Sequence, residues 1–284
     1  MSYSVIRRLN AIENLPTIPH TMQQVLSQID ELSSSVGTLQ SIIEQDPAIT
    51  TMLLRAANSS FYSPQEEISS VARAIVMMGF REIRNRVISY SLMGFFSDDL
   101  GFDEFKPVDL WLHSIGVAVA AKKIAQKVNG VDPDEMFTAG MLHDIGRLVY
   151  CLYLKKELRE VLAWSRNTGC SLNEAEDKVG LTHAEIGSYL AMRWKLSALL
   201  VDVIQHHHKP QHAVANLKGA SVVFLADSLA IRLGIGWTGG SDTRKILVPR
   251  NLGLDGVAVR KIALELLEEK AKIVAGWGNV LGVR

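Results

Sequence analysis

Along nearly the whole chain apolar residues recur every three or four positions, and no sustained alternation bounded by hairpin turns interrupts them. The pattern predicts an all-α protein of many helices. Helix starts are explicit at Asp46-Pro47 and Asp132-Pro133, where a capping carboxylate precedes a proline suited to the first helical position. The stretches SLNE (Ser171 to Glu174) and THAE (Thr182 to Glu185) have the reciprocal capping form and predict helices opening near 172 and 183. Gly79, Gly180 and Pro210 supply stops, the last ending a helix that carries three consecutive histidines, His206 to His208. Acidic residues, Gly101 and Pro107 break the periodicity over 97–109, which places a boundary near 105. The expected organisation is an N-terminal helical subdomain over 1–105, a core over 106–235, and a C-terminal part over 236–284. That last part reads as a loop followed by an amphipathic helix, from about 254 to 274, packed on the core.

Charge changes the picture by subtraction. Thirty Lys and Arg against thirty Asp and Glu leave no net charge, which removes the broad positive field of a protein that grips nucleic acid by its phosphates. No DNA partner is expected. The basic run FREIRNR (Phe80 to Arg86) is interrupted by Glu82 and reads as the solvated face of a helix. Cys151 and Cys170 form neither a disulfide framework nor a CxxC pair, which fits a reducing compartment. Apolar runs such as IGVAVAA (Ile115 to Ala121) fall far short of the roughly 20 residues of a membrane span. The start, MSYSVIRRLN, is too polar for a signal peptide. A cytoplasmic protein with no membrane partner is the expectation.

Histidine and aspartate occur where a packed core does not need them: His113, the pair His143-Asp144 in GMLHDIGRL, His183, the 206–208 cluster and Asp227. His143 and Asp144 read as lying inside an otherwise apolar helix, where an unpaired carboxylate would cost about several kcal/mol. Each residue alone has an ordinary explanation, as a hydrogen-bonded core histidine, a first-turn imidazole, a capping carboxylate or a solvated helix end. Together they would each need a separate buried partner, and a shared site is the simpler reading. Consecutive helical residues point about 100° apart, so at most two of the three histidines can serve one site. Asp202 lies four residues before His206 and on its face, where the two can pair at the surface. His20 and His212 read as surface residues.

The order H, HD, H, HH, D at His113, His143-Asp144, His183, His207-His208 and Asp227 resembles the HD superfamily of metal-dependent phosphohydrolases. The chain resembles more closely the HDOD domain, the HD-related output domain of bacterial signalling proteins. That resemblance extends over most of 10–235 and rests on LPTIP (15–19), IIEQDPAIT (42–50), LLRAANSSFY (53–62), ARAIVMMG (72–79), WLHS, AGMLHDIG, HAEIGSYLAMRW and HHKP. It implies an HD-like helical core beside the N-terminal subdomain. It also implies one metal held by His113, His143, Asp144 and Asp227, with Asp144 bridging to a second held by His183, His207 and His208.

Neutral imidazoles and carboxylates without thiolates suit one or two divalent ions of Fe, Mn, Ni or Zn. Ions so placed would offset Asp144 and activate water for attack on a phosphorus, with Arg147 reaching phosphate oxygens. Phosphodiesterases of the superfamily that hydrolyse cyclic di-GMP carry a Gly-Tyr-Pro motif soon after the paired histidines, where this chain has HKPQHAVANLKGA (208–220), so the resemblance stops short of that activity. HDOD domains generally resemble HD domains that have lost ligands, whereas this chain keeps the set. The expected function is regulatory output through a signalling protein partner, with a metal and a nucleotide or phosphate ligand in the pocket. The alternative is a metal-dependent phosphohydrolase acting on a nucleotide or phosphodiester.

The helices before residue 96 carry no clustered ligands and are expected to pack on the core and shape a binding surface. A fragment comprising 106–284 should therefore melt at lower temperature than the full chain. A fragment of undiminished stability and function would overturn that expectation.

Overall fold

A computed structural model describes residues 3–12, 15–27, 36–59, 62–96, 101–102, 106–236 and 246–278. All regular structure among these residues is helical, with no strand. The helices are α1 (Tyr3–Asn10), α2 (His20–Ser27), α3 (Val36–Glu44), α4 (Pro47–Ala57), α5 (Val71–Met78), α6 (Phe80–Met93), α7 (Pro107–Ala125) and α8 (Pro133–Leu142). They continue with α9 (Ile145–Tyr153), α10 (Lys155–Thr168), α11 (Leu172–Val179), α12 (His183–Arg193), α13 (Ala198–His206), α14 (Leu217–Leu233) and α15 (Gly256–Gly278). By packing the chain divides into two units, 17–97 with 271–284, and 1–16 with 98–270. Much of the connections at 97–109 and 234–253 lies outside the described residues.

In the unit built around 17–97, α4 begins as its sequence requires: the Asp46 carboxylate accepts from the N–H groups of Ala48 and Ile49 and Pro47 follows the cap. Leu39 and Ile43 of α3, Leu53 of α4, Ile75 of α5 and Ile83 and Val87 of α6 are buried. Gly79 closes α5 at φ 86°, in the left-handed range that favours glycine, and α6 starts at the next residue. The run FREIRNR departs from its expected place on a solvated face, because Arg84, Asn85 and Arg86 are all buried. Arg86 is held there by donating to Glu82 Oε1 at 2.9 Å and to the Tyr90 and Tyr62 hydroxyls at 3.2 and 3.4 Å. Its guanidinium also lies over the Tyr62 ring. Arg86 of α6 thus completes an internal polar cluster with Glu82, Tyr62 and Tyr90.

The unit containing 98–270 is organised on α7, α8 and α14. Ala118 and Gly140 allow close approach of α7 and α8: a Cβ on Gly140 would come within 2.8 Å of the Ala118 Cα. Val117, Ala121 and Ile124 of α7 share one apolar cluster with Met136, Ala139, Val222, Leu225 and Leu229, and with Val259, Ile262 and Leu266 of α15. Residues 3–16 belong to this unit, where Asn10 accepts from the Tyr189 hydroxyl and the Pro16 carbonyl accepts from the Trp194 indole at 2.8 Å. Both predicted capping boxes are present, at Ser171 for α11 and Thr182 for α12, and Asp132 caps α8. Both cysteines are free, and burial pushes the Cys151 thiol up to about 12.

One expectation is corrected here. His143 and Asp144 do not lie inside a helix but in a two-residue break between α8 and α9. Asp144 stands at the N-cap position of α9 without capping it. The apolar residues on either side read as one continuous stripe because both helices bury them. Just beyond the break, Gly146 lets α9 touch the first turn of α12, since a Cβ there would sit 2.0 Å from the His183 carbonyl oxygen and 2.7 Å from the Gly187 nitrogen. Backbone on both sides of that contact leaves no flexible side chain to yield. Gly146→Ala should lower stability by at least about 1–3 kcal/mol, read from the urea midpoint. An unchanged midpoint would mean that α9 and α12 separate freely.

Candidate metal centre

Three helices, one interhelical break and one turn bring seven side chains together. His113 comes from the middle of α7, His143 and Asp144 from the break, His183 from the first residue of α12, His207 and His208 from the turn after α13, and Asp227 from α14. All are buried except His208, which is partly exposed. They form two groups of converging ligand atoms, Asp144, His183, His207 and His208 in one and His113, His143 and Asp227 in the other.

Asp144 faces both groups. Its Oδ1 lies 3.0 Å from His183 Nε2 and 3.9 Å from His207 Nε2, while Oδ2 lies 3.6 Å from His143 Nε2 and 4.0 Å from His113 Nε2. Asp227 Oδ1 approaches His113 Nε2 at 3.1 Å and His143 Nε2 at 3.9 Å. The α13 helix ends at His206, and the turn that follows points both later rings inward, with centroids 4.0 Å apart. His206 stays outside both groups and pairs with Asp202 at 3.5 Å. His20 and His212 are exposed.

The outer faces of the rings determine what the inner faces offer. Nδ1 of His143 donates to the Gly140 carbonyl and Nδ1 of His207 to the Ile204 carbonyl, both at 2.7 Å. Nδ1 of His113 meets the Ile235 carbonyl at 3.3 Å, and Nδ1 of His183 meets Glu176 Oε2 at 2.5 Å. Carbonyl and carboxylate oxygens only accept, so these four rings carry hydrogen on Nδ1 and, when neutral, turn an Nε2 lone pair inward. His208 differs: its Nδ1 accepts from the Asn173 amide at 3.3 Å, so the neutral ring carries hydrogen on Nε2 and must turn or release that hydrogen before Nε2 can serve an ion.

This donor set fits a metal ion. His143 Nε2, Asp144 Oδ1 and Asp227 Oδ1 are buried without a hydrogen-bond partner of good geometry, with His183 Nε2 3.0 Å from Asp144 Oδ1 and His113 Nε2 3.1 Å from Asp227 Oδ1. Nε2 of His183 lies 3.3 Å from that of His207, and His208 Nε2 donates to it at 3.0 Å. Two ligand atoms about 2.1 Å from a common ion and at right angles to each other lie about 3.0 Å apart.

Charge is arranged to match. Burial alone would raise the Asp144 carboxyl, but Arg147, His143 and His183 hold it well below the usual carboxylate range. Burial lowers His143 against the pull of Asp144 and Asp227, and burial followed by the neighbouring rings lowers His207 and His208, His207 to about 3. Burial also opposes protonation of His113 and His183, yet the carboxylates beside them raise both. A proton on those two rings takes the place a cation would fill.

Arg147 is buried with its guanidinium turned to protein groups: Nε to Asp144 Oδ2 at 2.8 Å, Nη1 to Glu176 Oε1 at 3.1 Å and Nη2 to Asn173 Oδ1 at 3.0 Å. Glu176 and Asn173 escape a reading based on histidine and aspartate order. A signal for Glu176 exists in the sequence, because it stands on the inward stripe of α11 with Leu172, Ala175 and Val179. A cleft of about 300 Å³ reaches His208 and Asp227 and is also lined by Asn173, Lys209, Phe224 and Arg232.

Comparison with known proteins agrees with this architecture. An uncharacterised protein of Treponema pallidum (strain Nichols) is 26% identical over 213 residues, which cover 73% of this chain and 40% of that longer protein. A solved structure from Marinobacter aquaeolei VT8, provisionally described as a signal transduction protein, superimposes with a TM-score of 0.83 at 22% identity, covering 99% of this chain and 64% of that one. Another, from Shewanella amazonensis SB2B and provisionally described as a phosphohydrolase, gives 0.72 at 25% identity over 99% and 97%. The HDOD domain model matches residues 15–210. With that match spanning both helical units, the chain belongs to the HDOD domain family.

Proposed function

We propose that this protein is a signal-transduction output protein whose buried His/Asp cluster holds one or two divalent ions of Fe, Mn, Ni or Zn, and that it acts by binding a signalling partner. The observation that carries the metal reading is the set of inward Nε2 atoms, fixed by outward Nδ1 contacts, around carboxylate oxygens that have no hydrogen-bond partner. His183, His207 and His208 would hold one ion and His113, His143 and Asp227 the other, with Asp144 offering an oxygen to each. The output role is supported by membership of the HDOD family and by the signalling description of the Marinobacter protein. We place the protein in the cytoplasm. Among the described residues no helix is long and apolar enough to cross a membrane.

A second reading, a metal-dependent phosphohydrolase, is favoured by the cleft that reaches His208 and Asp227, with Arg232 and Lys209 on its walls, the latter paired to Asp177 at 2.7 Å. Bound ions would supply Lewis acidity toward phosphate oxygens. The protein's own part would be to orient and screen: Arg147 fixes Asp144, and the Lys209 and Arg232 cations meet a phosphate or nucleotide entering the cleft. Arg147, expected from its position to reach that phosphate, acts in this reading through Asp144.

Protein purified without chelators or a His-tag should contain one or two equivalents of metal, lost in His143→Ala and Asp144→Ala variants that still fold. Metal-free wild type, or variants that keep their metal, would overturn the site. Phosphodiester turnover abolished by Asp144→Ala would favour the hydrolase over pure output.

The cluster also sets a pH dependence. As pH falls through about 6.5 the unfolded chain protonates all five rings, whereas the folded metal-free protein protonates His113 and His183 and leaves His143, His207 and His208 neutral. The two raised rings contribute stability that is retained in acid and lost above their folded pKa values. Each lowered ring costs about 1.4 kcal/mol per pH unit below its unfolded value. With three lowered and two raised, the chelator-treated protein should melt at progressively lower temperature from pH 7 to 5. A constant or rising melting temperature would contradict the protonation states assigned here.

A further inference from the structure

We propose that Glu176 is a positioning residue that sets one half of the cluster, the group Asp144, His183, His207 and His208, and leaves the other half to the backbone. The proposal rests on the metal reading above and deepens it. Glu176 is buried at the inward face of α11, where a helix needing only to pack would place an apolar side chain. One of its oxygens, Oε2, accepts both the His183 backbone N–H at 2.9 Å and the His183 Nδ1–H at 2.5 Å. Ring and backbone are thereby fixed to the same atom, and the tautomer with an inward Nε2 lone pair is selected. A carboxylate on Nδ1 also makes the ring a stronger donor than a carbonyl does.

The other oxygen, Oε1, extends the hold. It accepts from Arg147 Nη1, and Arg147 in turn donates from Nε to Asp144 and from Nη2 to Asn173. The Asn173 amide nitrogen lies against His208 Nδ1. One chain of contacts from Glu176 therefore reaches three of the four ligands in this group. The opposite group is held differently, His143 by the Gly140 carbonyl and His113 by the Ile235 carbonyl. Asp144 belongs to the first group and turns Oδ2 toward the second. Replacing the Glu176 carboxylate should thus weaken one ion's site and spare the other.

The test is manganese(II) titration of the full chain followed by EPR, alongside nitrogen-15 spectra of the histidine rings in metal-free protein. Wild type should take up two equivalents. Glu176→Gln should keep the first unchanged and bind the second about 10- to 100-fold more weakly. Its His183 should shift toward mixed tautomers while His143 and His207 keep hydrogen on Nδ1, and Glu176→Asp should recover part of the second equivalent. Two equivalents bound as in wild type, or both weakened alike, would overturn the proposal. Uptake of a single equivalent by wild type would also overturn it, by removing the two halves. No uptake by wild type overturns the metal reading itself, a distinct result visible before any variant is made. If Glu176→Gln does not fold, Glu176→Asp must show the selective loss at smaller size, or the proposal fails.

Discussion

The contact on which the site depends is the outward hydrogen bond at Nδ1 of each of four buried rings. An imidazole on a helix rotates about two bonds and can present either nitrogen, so proximity alone would not aim a lone pair. Here oxygen acceptors at Gly140, Ile204, Ile235 and Glu176 settle which nitrogen carries hydrogen and which edge faces inward. Two of the acceptors sit three residues before their histidine, at the end of α8 and the end of α13. Ending a helix frees its last carbonyls, and these carbonyls are reused to orient a side chain. The two helix ends are in this sense parts of the site.

Buried charge is the second constraint. Arg147 lies between the carboxylates of Asp144 and Glu176, and each guanidinium nitrogen has a short contact to one acceptor side chain. With Asp227, three anions and one cation leave an excess negative charge that the neighbouring rings share: Asp227 raises His113, Glu176 and Asp144 raise His183, and His207, farther from a carboxylate, is lowered. A cation placed among the Nε2 atoms would balance the same excess.

Much of this was legible in the chain. The caps at Asp46, Asp132, Ser171 and Thr182 announce themselves because capping chemistry is local, confined to a residue and the next three. The His206–Asp202 pair follows from helix geometry in the same way. The break at His143 and Asp144 did not show, because buried helices on both sides keep the stripe apolar through it. The burial of Arg86 depends on Tyr62, and the network of Arg147 on residues near 173 and 176, partners brought together only by packing. A charge run or an arginine beside an aspartate looks the same in sequence whether its partner is solvent or a distant side chain.

The spread of the cluster along the chain carries a kinetic meaning. Its members run from residue 113 to residue 227, on helices that meet only after long loops of chain have closed. Contacts of that kind are paid for in loop entropy, and those that close only after the barrier is crossed contribute nothing to its height. An interaction absent from the transition state slows unfolding while leaving the folding rate nearly untouched. Whatever occupies the cluster would therefore act as a latch, lengthening the life of the folded protein more than hastening its formation.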